Sequence, residues 1–265
     1  MNRSMLSAVL ALAVLVAPAT ATADVTIKAT ATGKGLGMSG ETSNVTYIKG
    51  LKMRSEAASG KASNVTIFDV DAQKMYILNE KKKEVDVWDM GAFTQEMSQA
   101  VSVEGVRASM TPNGQTKTVL GHTADGYTVE IVVPTVLGGP GGIPVTMLLT
   151  GVSWIAKSAP GAADYAAFYK GAAEKGWIFS DPRAAKGAPG QAKAMAQMYA
   201  EFAKIGGMPL ESQMDIKADG EGPIAAMMAK MGGVSTTTVI DSVDTAPLDD
   251  ALFQVPADYT LKARQ

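Results

Sequence analysis

Cysteine is absent from all 265 residues, and there is a single histidine. The first absence excludes disulfides, thiolate metal sites, a cysteine nucleophile and a lipidated N-terminal cysteine. The second excludes any mechanism that needs two imidazoles. Aromatic residues make up only 6% of the chain, although 46% of it is hydrophobic. No surplus of either charge exists: Lys+Arg 24 stands against Asp+Glu 26, a net −2. Without a clustered basic excess, nucleic acid is not an expected partner. No Gly-x-Ser-x-Gly elbow occurs, and the glycine run at 138–142 is not followed by the Gly-Lys-Ser/Thr of a phosphate loop.

What is present begins with an export signal over residues 1–23. Arg3 supplies the positive start, residues 5–17 form a short apolar run, and Pro18 breaks it. Ala21-Thr22-Ala23 then offers small side chains for cleavage before Asp24. The run falls short of the ~20 residues of a comfortable membrane span, which disfavours the alternative of an uncleaved anchor. A soluble periplasmic protein without a lipid anchor is expected.

Residues 24–265 read as one domain. Val25, Ile27 and Ala29 alternate with Thr26, Lys28 and Thr30, as in a half-buried strand. Residues 33–40, rich in glycine, read as a turn. Further strands are expected at 45–54, 64–70, 74–78 and 85–88, joined by short polar turns into an antiparallel meander. A second hairpin is expected from 116–120 and 127–133, its turn at 121–126 holding His122. Residues 137–144 read as a loop and 145–156 as one or two strands. Helical insertions are expected around 91–101, 160–206 and 222–233. The strongest is 191–205, where Met195, Met198, Tyr199, Phe202 and Ile205 recur at three and four. Gly206-Gly207 stops it and Pro209 follows. Strands at 210–218 and 235–243 and a closing segment at 253–261 complete the chain. The class is α+β, a curved antiparallel sheet with helices packed on its concave side.

Catalytic chemistry is thinly supplied. His122 reads better as a turn residue than as a base, since no oriented nucleophile accompanies it. Asp69 and Asp71, or Asp86 and Asp89, offer carboxylates for a hydrolase, but turn edges and wet sheet faces are their commoner places. No enzyme activity, cofactor or metal is expected. Methionine is the unusual feature: sixteen in all, fourteen of them beyond the cleavage site. Its flexible, polarisable thioether re-packs around ligands of different shape.

The run Tyr47-Ile48-Lys49-Gly50-Leu51-Lys52-Met53-Arg54, then Val65-Thr66-Ile67-Phe68-Asp69-Val70, Lys74-Met75-Tyr76-Ile77-Leu78-Asn79 and Lys82-Lys83-Glu84-Val85, resembles the LolA/LolB-like superfamily of periplasmic lipoprotein carriers. The ending Leu252-Phe253-Gln254-Val255-Pro256-Ala257-Asp258-Tyr259 is similar to a branch of exported bacterial proteins with the same strand series. The resemblance covers most of residues 24–265 and is weakest at 89–107 and 160–207. It implies an unclosed β-barrel plugged by helices over an apolar cavity for acyl chains. It also implies a lid contact for Arg54, which stands where the family has an arginine on an early strand. The chain departs from the family in its length and in its Met/Ala-rich helices, so the fold alone does not identify the cargo.

The expected function is a binding or carrier protein for an apolar ligand, either lipid or acylated protein, in transient contact with envelope membrane proteins. Tyr47, Met53, Ile67, Met75, Trp88 and Trp154 are the expected sheet lining. Met195, Met198, Phe202, Met227 and Met228 are the expected lid. The alternative is a non-catalytic envelope scaffold without a ligand cavity.

Overall fold

A computed structural model describes residues 24–35, 38–60, 62–100, 105–137, 143–220 and 233–264. The expected export signal and the insert at 222–233, with Met227 and Met228, lie outside the described residues, apart from Gly233. Twelve strands form one sheet in the order β12-β6-β5-β4-β3-β2-β1-β11-β10-β9-β8-β7. The order is linear, so the sheet stays unclosed, with β12 and β7 at its edges.

The first six strands are a meander: β1 (Val25–Gly35), β2 (Met38–Lys49), β3 (Lys52–Ser59), β4 (Ala62–Asp69), β5 (Lys74–Asn79) and β6 (Glu84–Asp89). Two of its turns use one device. The Asp69 carboxylate accepts from the Ala72 N–H at 2.9 Å, and the Asn79 side chain accepts from the Lys82 N–H at 3.1 Å. Each turn ends on a residue with positive φ, Gln73 and Lys83 (both 52°), before the next strand begins. Helix α1 (Met90–Ala100) leaves this edge, capped by Asp89, which accepts from the Ala92 N–H.

A second meander follows from β7 (Arg107–Val119), β8 (His122–Leu137) and β9 (Ile143–Ala156). Helices α2 (Ala162–Glu174), α3 (Pro182–Gly187) and α4 (Pro189–Ile205) come next, then β10 (Met208–Gly220) and β11 (Val234–Asp244). Pairing of β11 with β1 joins the two meanders. A 3-10 turn (Asp250–Phe253) precedes β12 (Thr260–Arg264), which runs parallel to β6, the one parallel pair among the described residues.

Several boundaries differ from the sequence reading. The glycines at 33 and 35 lie inside β1, which pairs with β2 as far as Gly35↔Met38. The β7–β8 turn is only Leu120-Gly121, with φ 51° and 78°, the left-handed pair of a two-residue hairpin. His122 therefore starts a strand rather than sitting in a longer turn. Gly126 lies within β8, where an added Cβ would meet Asn113 and the Trp154 ring at 2.9 Å or closer. Strand β7 begins well before Thr116, carried past Pro112 by a register shift. Helix α3 has no apolar period to announce it, only Asp181 as its cap and Pro182 in the first turn.

Candidate functional site

One row of side chains organises the helix-bearing face. Val25, Ile48, Met53, Phe68, Met75 and Trp88 stand opposite one another across β1 to β6. None is more than 8% exposed. Phe93 and Met97 of α1, Phe168 and Ala172 of α2, Ala185 of α3 and Ala192 of α4 belong to the same core cluster. Above them lies a layer of rings. Tyr169 stacks on Tyr199 at 5.1 Å and meets Tyr165 at 4.6 Å. Phe179 reaches Tyr199 at 4.7 Å and Phe68 of the sheet at 5.6 Å. Burial among these rings pushes all three tyrosine hydroxyls above their ordinary pKa. The sheet row of this half is almost wholly buried.

The other half is covered more loosely. On β7 to β9, Met110, Tyr127, Val129, Ile131 and Ile155 are buried in one cluster with Ala194 of α4. Around them Met147, Leu149 and Met214 of the sheet and Met198, Phe202 and Ile205 of α4 are only part-buried. An apolar recess of ≈ 190 Å³ opens between α1 and α4, lined by Met97, Ile178, Pro189 and Ala196, with Thr94 and Lys193 also at its walls. Trp177 lies between Gly176 and Ile178, two residues of that lining. Its indole N–H and that of Trp88 are buried with no acceptor among the described residues. The C-terminal turn of α2 sets this segment. Gly176 takes φ 67°, and the Trp177 N–H bonds back to the Ala172 carbonyl at 2.9 Å, a glycine-dependent helix stop.

Of the residues expected to line a common cavity, Met53, Met75 and Trp88 come together in the buried row. Tyr47 and Ile67 do not join them. Each is one residue out of phase with a member of that row, Ile48 and Phe68, and side chains alternate faces along a strand. Ile67 packs instead on the opposite face with Val65, Leu78 and Val85, where Val255 and Tyr259 of the C-terminal segment cover it. Arg54 shares Tyr47's face. It donates to Glu56 at 2.6 Å and to the Leu252 carbonyl at 3.3 Å, so its long-range contact is with the C-terminal segment and not with α1 to α4. Lys49 donates to the Leu248 carbonyl at 2.8 Å and ties the same segment down.

Trp154 is part-buried at the rim of the first cluster, with the Lys117 ammonium 4.6 Å from its ring centre. Lys117 also pairs with Glu211 at 2.6 Å. Ile155, next to Trp154 in the chain and on the other face, is the β9 residue buried in the second cluster. Met195 is part-buried on α4, while Met198 and Phe202 pack in the second cluster. Asp69 accepts at its turn and pairs with Lys52 at 3.2 Å.

Asp86 belongs to a feature that has no signature in the sequence. A polar cleft of ≈ 520 Å³ lies at the β5–β6–β12 edge. Its walls come from three stretches within residues 62–64, 77–86 and 262–264, which the sheet order brings together, and from Arg183 of α3.

No family model matches the chain, and no curated protein matches it. Among solved structures it is similar to PNGF-II, at 11% identity and a TM-score of 0.35. That match covers 91% of this chain but spans only 31% of the PNGF-II chain. The chain is also similar to a domain assigned to outer membrane lipoprotein sorting in Vibrio parahaemolyticus, at 9% identity and a TM-score of 0.30, covering 87% of this chain and 89% of that one. A DUF1329 family protein from Desulfovibrio piger is similar at 9% identity and a TM-score of 0.25, over 89% of this chain and 91% of that one.

Proposed function

We propose that this is an exported, non-catalytic binding or carrier protein for an apolar ligand, a lipid or a lipidated protein, taken up between the helices and the sheet. The observation that carries the reading is the apolar recess between α1 and α4. Its ≈ 190 Å³ is below the ~300–1,000 Å³ of sites that enclose a whole small ligand. It admits the end of an apolar chain, and deeper capture requires α1 and α4 to part. Met97 supplies an unbranched, adaptable wall for that step. Each buried methylene contributes about 0.8 kcal/mol, so a ~16-carbon chain gains about 12 kcal/mol before ordering costs, with no catalytic group needed.

Among the described residues, no helix is long and apolar enough to cross a membrane. The export signal and the release before Asp24 are part of this proposal.

The test is native mass spectrometry of protein purified gently from an envelope fraction, followed by titration with a long-chain fatty acid. A bound mass that is weakened by Met97→Lys supports the reading. A protein that carries no lipid and takes up no fatty acid refutes it. The sealed Val25–Trp88 row favours a second reading, a scaffold that uses its surfaces and has no ligand. That reading expects the same empty spectrum, with a protein partner recovered by crosslinking.

A further inference from the structure

The polar cleft at the sheet edge has a volume of ≈ 520 Å³, within the range of ligand sites. Its walls carry five basic side chains, Lys81, Lys82, Arg183, Lys262 and Arg264, against three acidic ones, Glu80, Glu84 and Asp86. The cleft is therefore locally positive on a chain whose net charge is −2.

Its two arginines and Lys262 are held in place before any ligand arrives. The parallel pairing of β12 with β6 sets Lys262 beside Asp86 and Arg264 beside Trp88. Arg264 grips one Asp86 oxygen with Nε and Nη2, both at 2.9 Å. Arg183 reaches the other oxygen from α3 at 3.4 Å, while Asp181 holds its Nε and Nη2. Asp86 is thus spent: its side chain is only 14% exposed, and each oxygen is already taken by a guanidinium. The arginines are not spent, with side chains 54% and 46% exposed, and Arg264 still has Nη1 to offer. Glu84 is likewise engaged, by Lys262 at 2.7 Å. Lys81 and Lys82, on the β5–β6 turn, have no carboxylate partner among the described residues. Asn64 and the Asn79 amide add neutral donors to the same walls.

We propose that this cleft binds a phosphate-class oxyanion, either free or as the headgroup of an anionic lipid. An anion with several oxygens suits donors that converge from three directions, from β12, from α3 and from the β5–β6 turn. A forked guanidinium meets two such oxygens at once, and an ammonium meets one. The proposal is independent of the apolar recess, which lies between α1 and α4 and shares no lining residue with the cleft.

The experiment has two arms: calorimetric titration with inorganic phosphate, and co-sedimentation with vesicles of phosphatidylglycerol mixed into phosphatidylcholine against phosphatidylcholine alone. Both are run on the full chain, on K81E/K82E, and on K28E/K157E, which changes the charge equally at exposed sites elsewhere. The expected result is binding in at least one arm that weakens about tenfold in K81E/K82E and holds in K28E/K157E. Phosphate binding identifies the free anion, and binding to the anionic vesicles alone identifies the headgroup. Binding in neither arm overturns the proposal. So does an equal loss in both variants, which would mean that only overall charge matters.

Discussion

Met75→Ala measures how solid the interior is. Met75 is 1% exposed and lies between Phe68 and Met75's other partner, Trp88, in the row beneath the helices. If that row is close-packed, truncation removes the buried chain and leaves a cavity, costing about 3 kcal/mol. For a chain of this length the melting temperature then falls by about 6–12 °C. Met198 of α4 serves as the comparison. It is only part-buried, so Met198→Ala forfeits about 1 kcal/mol of transfer energy and leaves no sealed void. Urea unfolding of both variants, followed by tryptophan fluorescence, gives the two costs side by side. A Met75→Ala cost under 1 kcal/mol, or one equal to that of Met198→Ala, would refute the reasoning. It would mean that the row lines a space already open and that ligand enters the β1–β6 half.

Two further outcomes follow from the helix layer. Tyr165, Tyr169 and Tyr199 have hydroxyls raised by burial, so they stay protonated in the folded protein after they would ionise in the unfolded chain. Their contribution to stability is whole below the ordinary phenol pKa of about 10 and is lost as pH rises beyond it. A spectrophotometric titration should leave Tyr165, Tyr169 and Tyr199 silent until the chain unfolds in alkali; their ionisation in the folded protein near the ordinary phenol value refutes it. Gly161→Ala should destabilise by about 1–2 kcal/mol, because Gly161 caps α2 at φ 70° and an added Cβ would come within 2.8 Å of Val25. A thermal melt unchanged from the parent would show that α2 can shift without cost.

The helices and strands were largely legible because their apolar periods are strong. The run from Met195 to Ile205 can bury one face only as a helix, and Gly206-Gly207 ends it. Faces were harder to read. Ile67 and Phe68 are consecutive and both apolar, because β4 is buried on both sides, by helices over Phe68 and by Val255 and Tyr259 over Ile67. Where both faces are covered, alternation no longer says which neighbour points where. A tyrosine and an arginine at 47 and 54 could equally have faced a lid. Their placement depends on the two-residue turn at Gly50-Leu51, which pairs Tyr47 with Arg54 and Ile48 with Met53.

The amino-acid sequence by itself determined the element types and the chemistry that is missing, since residue supply and local period need no partner to be read. Which residues meet was decided only in three dimensions. Arg183, Arg264 and Asp86 lie far apart along the chain, and a parallel last strand together with a six-residue helix brings them to one edge. The physical reason is that local propensity acts over a turn or two, whereas strand order and the covering of each face are settled by burial over the whole sheet.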